Sequence, residues 1–156
     1  MTLYTVTLFA HVIGACVLLG TGAGIAFFML MSNRTRDPAL ITHVAEIVVL
    51  ADIVFTATAA IAQPITGAIL ARLSGWPLSS GWVGLAIGLY VVVGAFWLPV
   101  VWIQMRLHVM ARTARDTGTA LPAGYAPLYR IWLACGFPAF TAVLTILWLM
   151  LTKPAL

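Results

Sequence analysis

Charge is what this chain has least of. Its 156 residues include 8 Lys and Arg and 4 Asp and Glu, so 8% are charged, against about 25% in a soluble domain. That is too few to cover a surface in water, while 63% of the residues are hydrophobic and the mean hydropathy is +1.08. A soluble domain is excluded and an integral membrane protein is expected. The net charge of +4 does not point to nucleic acid. The basic residues sit at the ends of apolar runs, where membrane topology accounts for them.

Cysteine is scarce too. Cys16 and Cys135 lie inside apolar runs and read as small packing residues. There is no CxxC and no Cys/His spacing of a metal site. No basic segment precedes the first apolar run and no small-residue cleavage site follows it, so that run is expected to stay in the membrane. Hydrolase and kinase chemistry find no residues in usable order: no Ser/His/Asp or Cys/His set, no phosphate-binding loop, no carboxylate pair. Glu46 stands six residues from Asp52, on another helical face.

What the chain does have is four apolar runs, at about residues 3–31, 42–70, 82–115 and 128–151, each long enough to cross a hydrocarbon core of ~30 Å. The expected fold is all-α: one domain, 1–156, an up-down bundle of four transmembrane helices in a lipid bilayer. Arg34 and Arg36 mark the first loop, and Arg106, Arg112, Arg115 and Arg130 mark the third loop and its flanks. Only Arg72 and Lys153 lie on the opposite side. The positive-inside rule then puts both termini in the periplasm. The first loop is expected at residues 32–41. The second, 74–80, carries Trp76 as part of an interfacial aromatic belt with Trp82. The third, 113–127, leaves Tyr125 and Tyr129 for the headgroups.

The second run carries the polar stretch around which the chain is organised. Asp52 is the acidic residue farthest from any polar flank. An ionised carboxylate in hydrocarbon is expensive, so Asp52 must face the interior, find a partner or hold a proton. Helical spacing puts Asp52, Thr56 and Gln63 on one stripe. Pro64 has no N–H, so the carbonyl of Ala60 loses its helical partner. In the first run Gly20 and Gly24 make a GxxxG step toward the second helix. Counting in from the shared turn puts His11 near the level of Gln63. In the third run Tyr90, Trp97 and Gln104 share a stripe, with Tyr90 near His11 and Gln63 and with Gln104 near Asp52. Pro99 and Pro138 add two further prolines inside apolar runs.

The runs Gly20-Thr21-Gly22-Ala23-Gly24, Ala51-Asp52, Gln63-Pro64-Ile65-Thr66-Gly67, Trp97-Leu98-Pro99-Val100-Val101-Trp102 and Gly136-Phe137-Pro138, following His11, together resemble the small bacterial inner-membrane proteins of domain-of-unknown-function family 2269. That resemblance implies four transmembrane helices and a bacterial inner membrane, and brings no activity. A first-run histidine followed by a glycine-containing apolar stretch and a basic turn is also similar to the J-type protoporphyrinogen oxidase and to the membrane part of copper-resistance proteins. In the former, a first-helix histidine is associated with haem. Only His11 carries over; the usual tryptophan–glycine pair is replaced by Leu18-Leu19-Gly20.

Three functional readings follow. The leading one is a haem- or redox-associated protein, with His11 as ligand of a haem b iron and Gln63 holding the imidazole beside Tyr90. Its bland counterpart is a histidine hydrogen-bonded to Gln63 or to the freed carbonyl. The second is a small proton-linked transporter or subunit using Asp52, with Thr56 and Gln104 as intramembrane polar neighbours; here the bland counterpart is a hydrogen bond from Asp52 to Gln104 or to the glycine-rich helix that sets helix register. The third is a non-catalytic partner of a larger membrane complex, or a homo-oligomer. His43 and His108 approach each other at the basic end; they read either as a haem pair beside arginines or as surface groups, with His43 paired to Glu46 at i, i+3. Arg106 is expected to reach for the headgroups rather than Asp52.

Overall fold

The computed structural model describes residues 2–79 and 81–155. Helix α1 spans Leu3–Thr35. It starts at Thr2, whose hydroxyl accepts the Thr5 N–H at 3.3 Å, and ends at Arg36 in the left-handed region, φ 55°. Asp37 then caps α2, Pro38–Ala51, by accepting the Ala39 N–H at 2.8 Å, with Pro38 at the first helical position. The first loop is therefore Arg36 and Asp37 alone, not residues 32–41. The polar residues there continue the helix, because Ser32 and Thr35 return their hydroxyl protons to the carbonyls of Met29 and Ser32.

After Ala51 the second span passes through one π-helical turn, Asp52–Thr56, and continues as α3, Ala57–Leu73. Helix α4 spans Gly81–Thr117 and α5 spans Tyr125–Thr152. The four spans hold 28 to 37 residues, well above the roughly 20 a membrane needs, and each outruns its expected bounds. Gly75 and Gly118, at φ 75° and 65°, close α3 and α4 in a conformation open to glycine. Ser80, the last residue of the expected second loop, lies outside the described residues. No strand occurs among those described.

The first and third loops share one face of the bundle; the termini and second loop share the other. We refer to these as the loop face and the terminal face. Around the bundle α1 packs on α2 and α3, α2 on α4, α4 on α5, and α5 closes onto α1, while α3 and α4 scarcely touch. The bundle is thus tight at the loop face and parted on one side of its terminal half. Met29, Ile41, Ala45, Leu107 and Ala111 are completely buried in the loop-face core. A smaller cluster of Trp82, Val83, Ala86 and Leu149 joins α4 to α5 at the terminal face, where Trp76 meets Trp82 edge to face at 5.6 Å. Phe9, Phe27, Phe55, Phe137 and Trp148 point outward, as lipid-facing residues must.

Two expectations about packing are corrected. Gly20 and Gly24 do not seat a neighbouring helix: a Cβ on either would meet nothing within 4 Å. Close approach occurs nearer the terminal face, at Gly14, where a Cβ would fall 2.4 Å from Gln63 Nε2. Tyr125 and Tyr129 do not lie at the headgroups either. They are 3% and 7% exposed and stack toward Trp132 within the loop-face core.

Candidate functional site

The second span is organised by its π-helical turn. The N–H of Ala57 reaches back five residues to the carbonyl of Asp52, a local widening that recurs at functional sites. One extra residue turns the helix beyond it by about 100° relative to an unbroken helix. Asp52, Thr56 and Gln63 are all buried, as their expected stripe requires, but they serve different neighbours. Asp52 addresses α4, and Gln63 addresses α1.

Asp52 is 5% exposed and Gln104 is 1% exposed. Gln104 Nε2 donates to Asp52 Oδ2 at 2.8 Å, and Trp132 Nε1 donates to Gln104 Oε1 at 3.3 Å. An indole N–H can only donate. It therefore fixes which end of the Gln104 amide faces it, and the amide NH₂ must face Asp52. The chain Trp132–Gln104–Asp52 thus has one direction and crosses three spans. Gln104 engages Oδ2, and no hydrogen bond reaches Oδ1 among the described residues. The link to the glycine-rich helix, the other structural expectation for Asp52, does not form. Nor does Arg106 pair with it; that side chain is exposed and its guanidinium lies 5.7 Å from the centre of the Trp102 ring. One turn beyond Asp52, Thr56 is 7% exposed and its hydroxyl has no hydrogen-bond partner among the described residues. The buried indole nitrogen of Trp97 is likewise unpartnered.

The second cluster lies toward the terminal face. His11 Nδ1 meets the hydroxyl of Thr66 at 2.8 Å, and that hydroxyl donates its one proton to the carbonyl of Ala62 at 2.8 Å. Thr66 must then accept from Nδ1–H, which leaves Nε2 with its lone pair. The expectation that Gln63 holds the imidazole is overturned: Thr66 holds it instead. Gln63 Nε2 donates to the backbone carbonyl of His11 at 2.7 Å, because the bare α-carbon of Gly14 lets the amide slide past the ring. Gly67 gives the ring its place: a Cβ there would stand 3.3 Å from His11 Cε1. The Tyr90 hydroxyl donates to the carbonyl of Ala60, the acceptor that Pro64 leaves without a helical partner. Tyr90 thereby ties α4 to α3 where the two otherwise stand apart.

The remaining histidines do not form a pair. His108 Nε2 lies 3.3 Å from Glu46 Oε1, so Glu46 turns across to α4 rather than along its own helix to His43, which is exposed. Among the described residues no three His, Cys, Asp or Glu side chains gather as a metal site. Two shallow recesses of about 320 and 230 Å³ open at the loop face, the first beside Arg106 and Thr119, the second beside Asp37 and Arg115. Neither is lined by His11, Asp52, Gln63, Tyr90 or Gln104.

Two residues of these clusters escaped the reading of the sequence. Trp132 follows Tyr125 by seven and Tyr129 by three residues, an aromatic stripe that marks a buried face once the tyrosines are taken off the headgroups. Thr66 follows Gln63 by three, and only the angular setting of α3 reveals that it faces His11.

The family model described as a predicted integral membrane protein, DUF2269, matches residues 5–154. The chain belongs to this family. The family match agrees with the four spans and covers both clusters, and it carries no reaction with it. No curated protein and no solved structure matches the chain.

Proposed function

We propose that this protein handles protons inside the membrane, with Asp52 as the group that takes up and releases them, as a small proton-linked transporter or as a subunit of one. The observation that carries the reading is the Asp52 carboxyl itself. It is buried in a π-helical turn, has one oxygen held by an oriented amide, and has no hydrogen bond to its other oxygen among the described residues. A group serving register alone needs no free oxygen and no widened turn. Ionisable residues at such depth commonly mark proton relays. The third reading, a non-catalytic subunit, has no specific contact in its favour. In a bacterial inner membrane with the arginine-rich loop face inside, the termini lie in the periplasm.

The test uses the full chain in proteoliposomes, with a pH-sensitive dye inside and an imposed membrane potential. The parent should carry a proton flux, and Asp52→Asn, which keeps an acceptor for Gln104, should fold and lose it. Equal flux through both, or no flux through the parent, overturns the reading.

One observation favours a second reading, a haem b held by His11. Its imidazole is tethered through Nδ1 to Thr66 and keeps a free lone pair on Nε2, which could hold the iron of such a group. His11 alone would hold it. His43 and His108 belong to the loop face, and Gln63 and Tyr90 are committed to backbone carbonyls. The protein purified after haem-supplemented expression should show a Soret band that His11→Ala abolishes; colourless parent protein discards this reading.

A further inference from the structure

Beyond the Glu46–His108 contact near the loop face, two rungs join the second span to α4: Asp52 to Gln104, and Ala60 to Tyr90. The residues between them form a regular pattern. On α4, Trp97 stands seven residues from both Tyr90 and Gln104. On the second span, Thr56 stands four residues from both Asp52 and Ala60. Each therefore occupies the same helical face as the rung-forming residues above and below it. Both carry a buried polar atom with no partner among the described residues, Thr56 Oγ1 and Trp97 Nε1. Thr56 is more than nine-tenths buried.

Two orphaned polar atoms on the faces that carry the rungs are each expensive to leave without a partner. Their chemistry selects the occupant. An indole N–H only donates, so the occupant must accept a hydrogen bond, which disfavours a metal cation. A hydroxyl both donates and accepts. Water meets both demands and is the usual guest of a buried polar gap.

We infer that Thr56 and Trp97 hold buried water between the two rungs, and that this water is the proton donor and acceptor for Asp52. This rests on the proton reading of Asp52. In the step, an O–H bond of the protonated water cluster breaks as an O–H bond forms on Asp52 Oδ1, and the reverse step returns the proton; no oxidant or reductant is needed. The charged and titratable groups around the carboxyl leave this route clear. Among the described residues Asp52 has no ion pair; α4 brings it Gln104, and α5 reaches it through Trp132 by way of that amide. Glu46 on its own span is engaged with His108, and Arg106 is exposed. The opposite direction is filled: Met29, Ile41, Ala45, Leu107 and Ala111 close the loop-face core without residual exposure. Above the site, α3 and α4 scarcely pack, and Tyr90, Gln63 and His11 continue a polar line toward the terminal face.

The experiment is infrared spectroscopy of the full chain in lipid, with transfer from H₂O to D₂O. The protonated Asp52 carbonyl band is identified by its loss in Asp52→Asn, and its isotope shift times the exchange. Thr56→Val deletes its orphaned oxygen at near-constant shape, and Trp97→Phe deletes the orphaned nitrogen together with part of the indole ring. Each should slow the exchange roughly tenfold, the factor given by about 1.4 kcal/mol, one hydrogen bond lost from the transfer path. Unchanged exchange in both variants, with raised melting temperatures, means a dry gap and overturns the inference while leaving the proton reading intact. The absence of any Asp52-dependent band from about pH 4 to about pH 10 overturns the proton reading itself. Should Trp97→Phe fail to fold, Thr56→Val decides alone.

Discussion

Replacing Gln104 by leucine removes both hydrogen bonds of the cross-bundle chain at once. Trp132 Nε1 and Asp52 Oδ2 then stay behind without partners, at residues 3% and 5% exposed. Hydrogen bonds between membrane helices average about 0.6 kcal/mol and reach about 1.7, so the two together give an expected loss of about 1–3 kcal/mol. Trp132→Phe removes one bond and should lose about 1 kcal/mol. Asp52→Leu should lose about 1–2 kcal/mol, whereas Asp52→Asn keeps the acceptor and should stay within about 0.5 kcal/mol of the parent. The sharpest measurement is a double-mutant cycle of Asp52→Leu with Gln104→Leu. The double variant should be less destabilised than the sum of the single ones by about 1 kcal/mol, since each change has already removed the other's partner. Reversible unfolding in bicelles, followed by helical circular dichroism, supplies the free energies. Additive effects, or a Gln104→Leu protein as stable as the parent, would refute the reasoning: the three side chains would then be neighbours without coupling.

Gly14→Ala should lower the melting temperature, because the new Cβ would fall 2.4 Å from Gln63 Nε2 and displace the amide from the His11 carbonyl. Gly67→Ala, with its 3.3 Å approach to the His11 ring, should cost less in the same scan. Tyr90→Phe should destabilise by about 1 kcal/mol, since it leaves the Ala60 carbonyl bare. Pro64→Ala restores an N–H to that carbonyl and should relieve much of the Tyr90→Phe loss in a thermal-melt comparison of the four proteins. An alkaline phosphatase fused to the C-terminus should be active and a fluorescent protein fused there dark, if the termini are periplasmic; the opposite pattern reverses the orientation.

The sequence was most informative where one residue creates a need that another can meet. Pro64 declares that Ala60 lacks a partner, and depth counting put Tyr90 near it; the two are bonded. The same counting matched Gln104 to Asp52 across 52 residues of chain, and they meet at 2.8 Å. Depth along the membrane normal is legible because every span has one end at a turn that arginines mark. Rotation about the helix axis is not. The π-helical turn adds a residue that no local preference in Asp52-Ile53-Val54-Phe55-Thr56 announces, and from there on the angular reading slips. For that reason Gln63 was aimed at the imidazole and Thr66 was overlooked. The glycines misled for a related reason. Gly14, Gly20 and Gly24 look alike in sequence, and only the neighbour opposite each decides which one is used for packing.

The extra residue at Asp52–Thr56 has a consequence best put in the language of crystals. A helix with one residue too many in a turn contains a dislocation. Such a defect does not heal in place, because the surplus residue has nowhere to go. It can glide along the span by exchanging one backbone hydrogen bond at a time, and each step of glide leaves the far ends of the helix where they were. What changes is the small set of side chains between the old and new positions, which swing by about 100°. For this span those are Asp52 and its immediate successors. The buried carboxyl that crosses to α4 therefore sits at the point where the helix can re-aim a residue without moving its anchors.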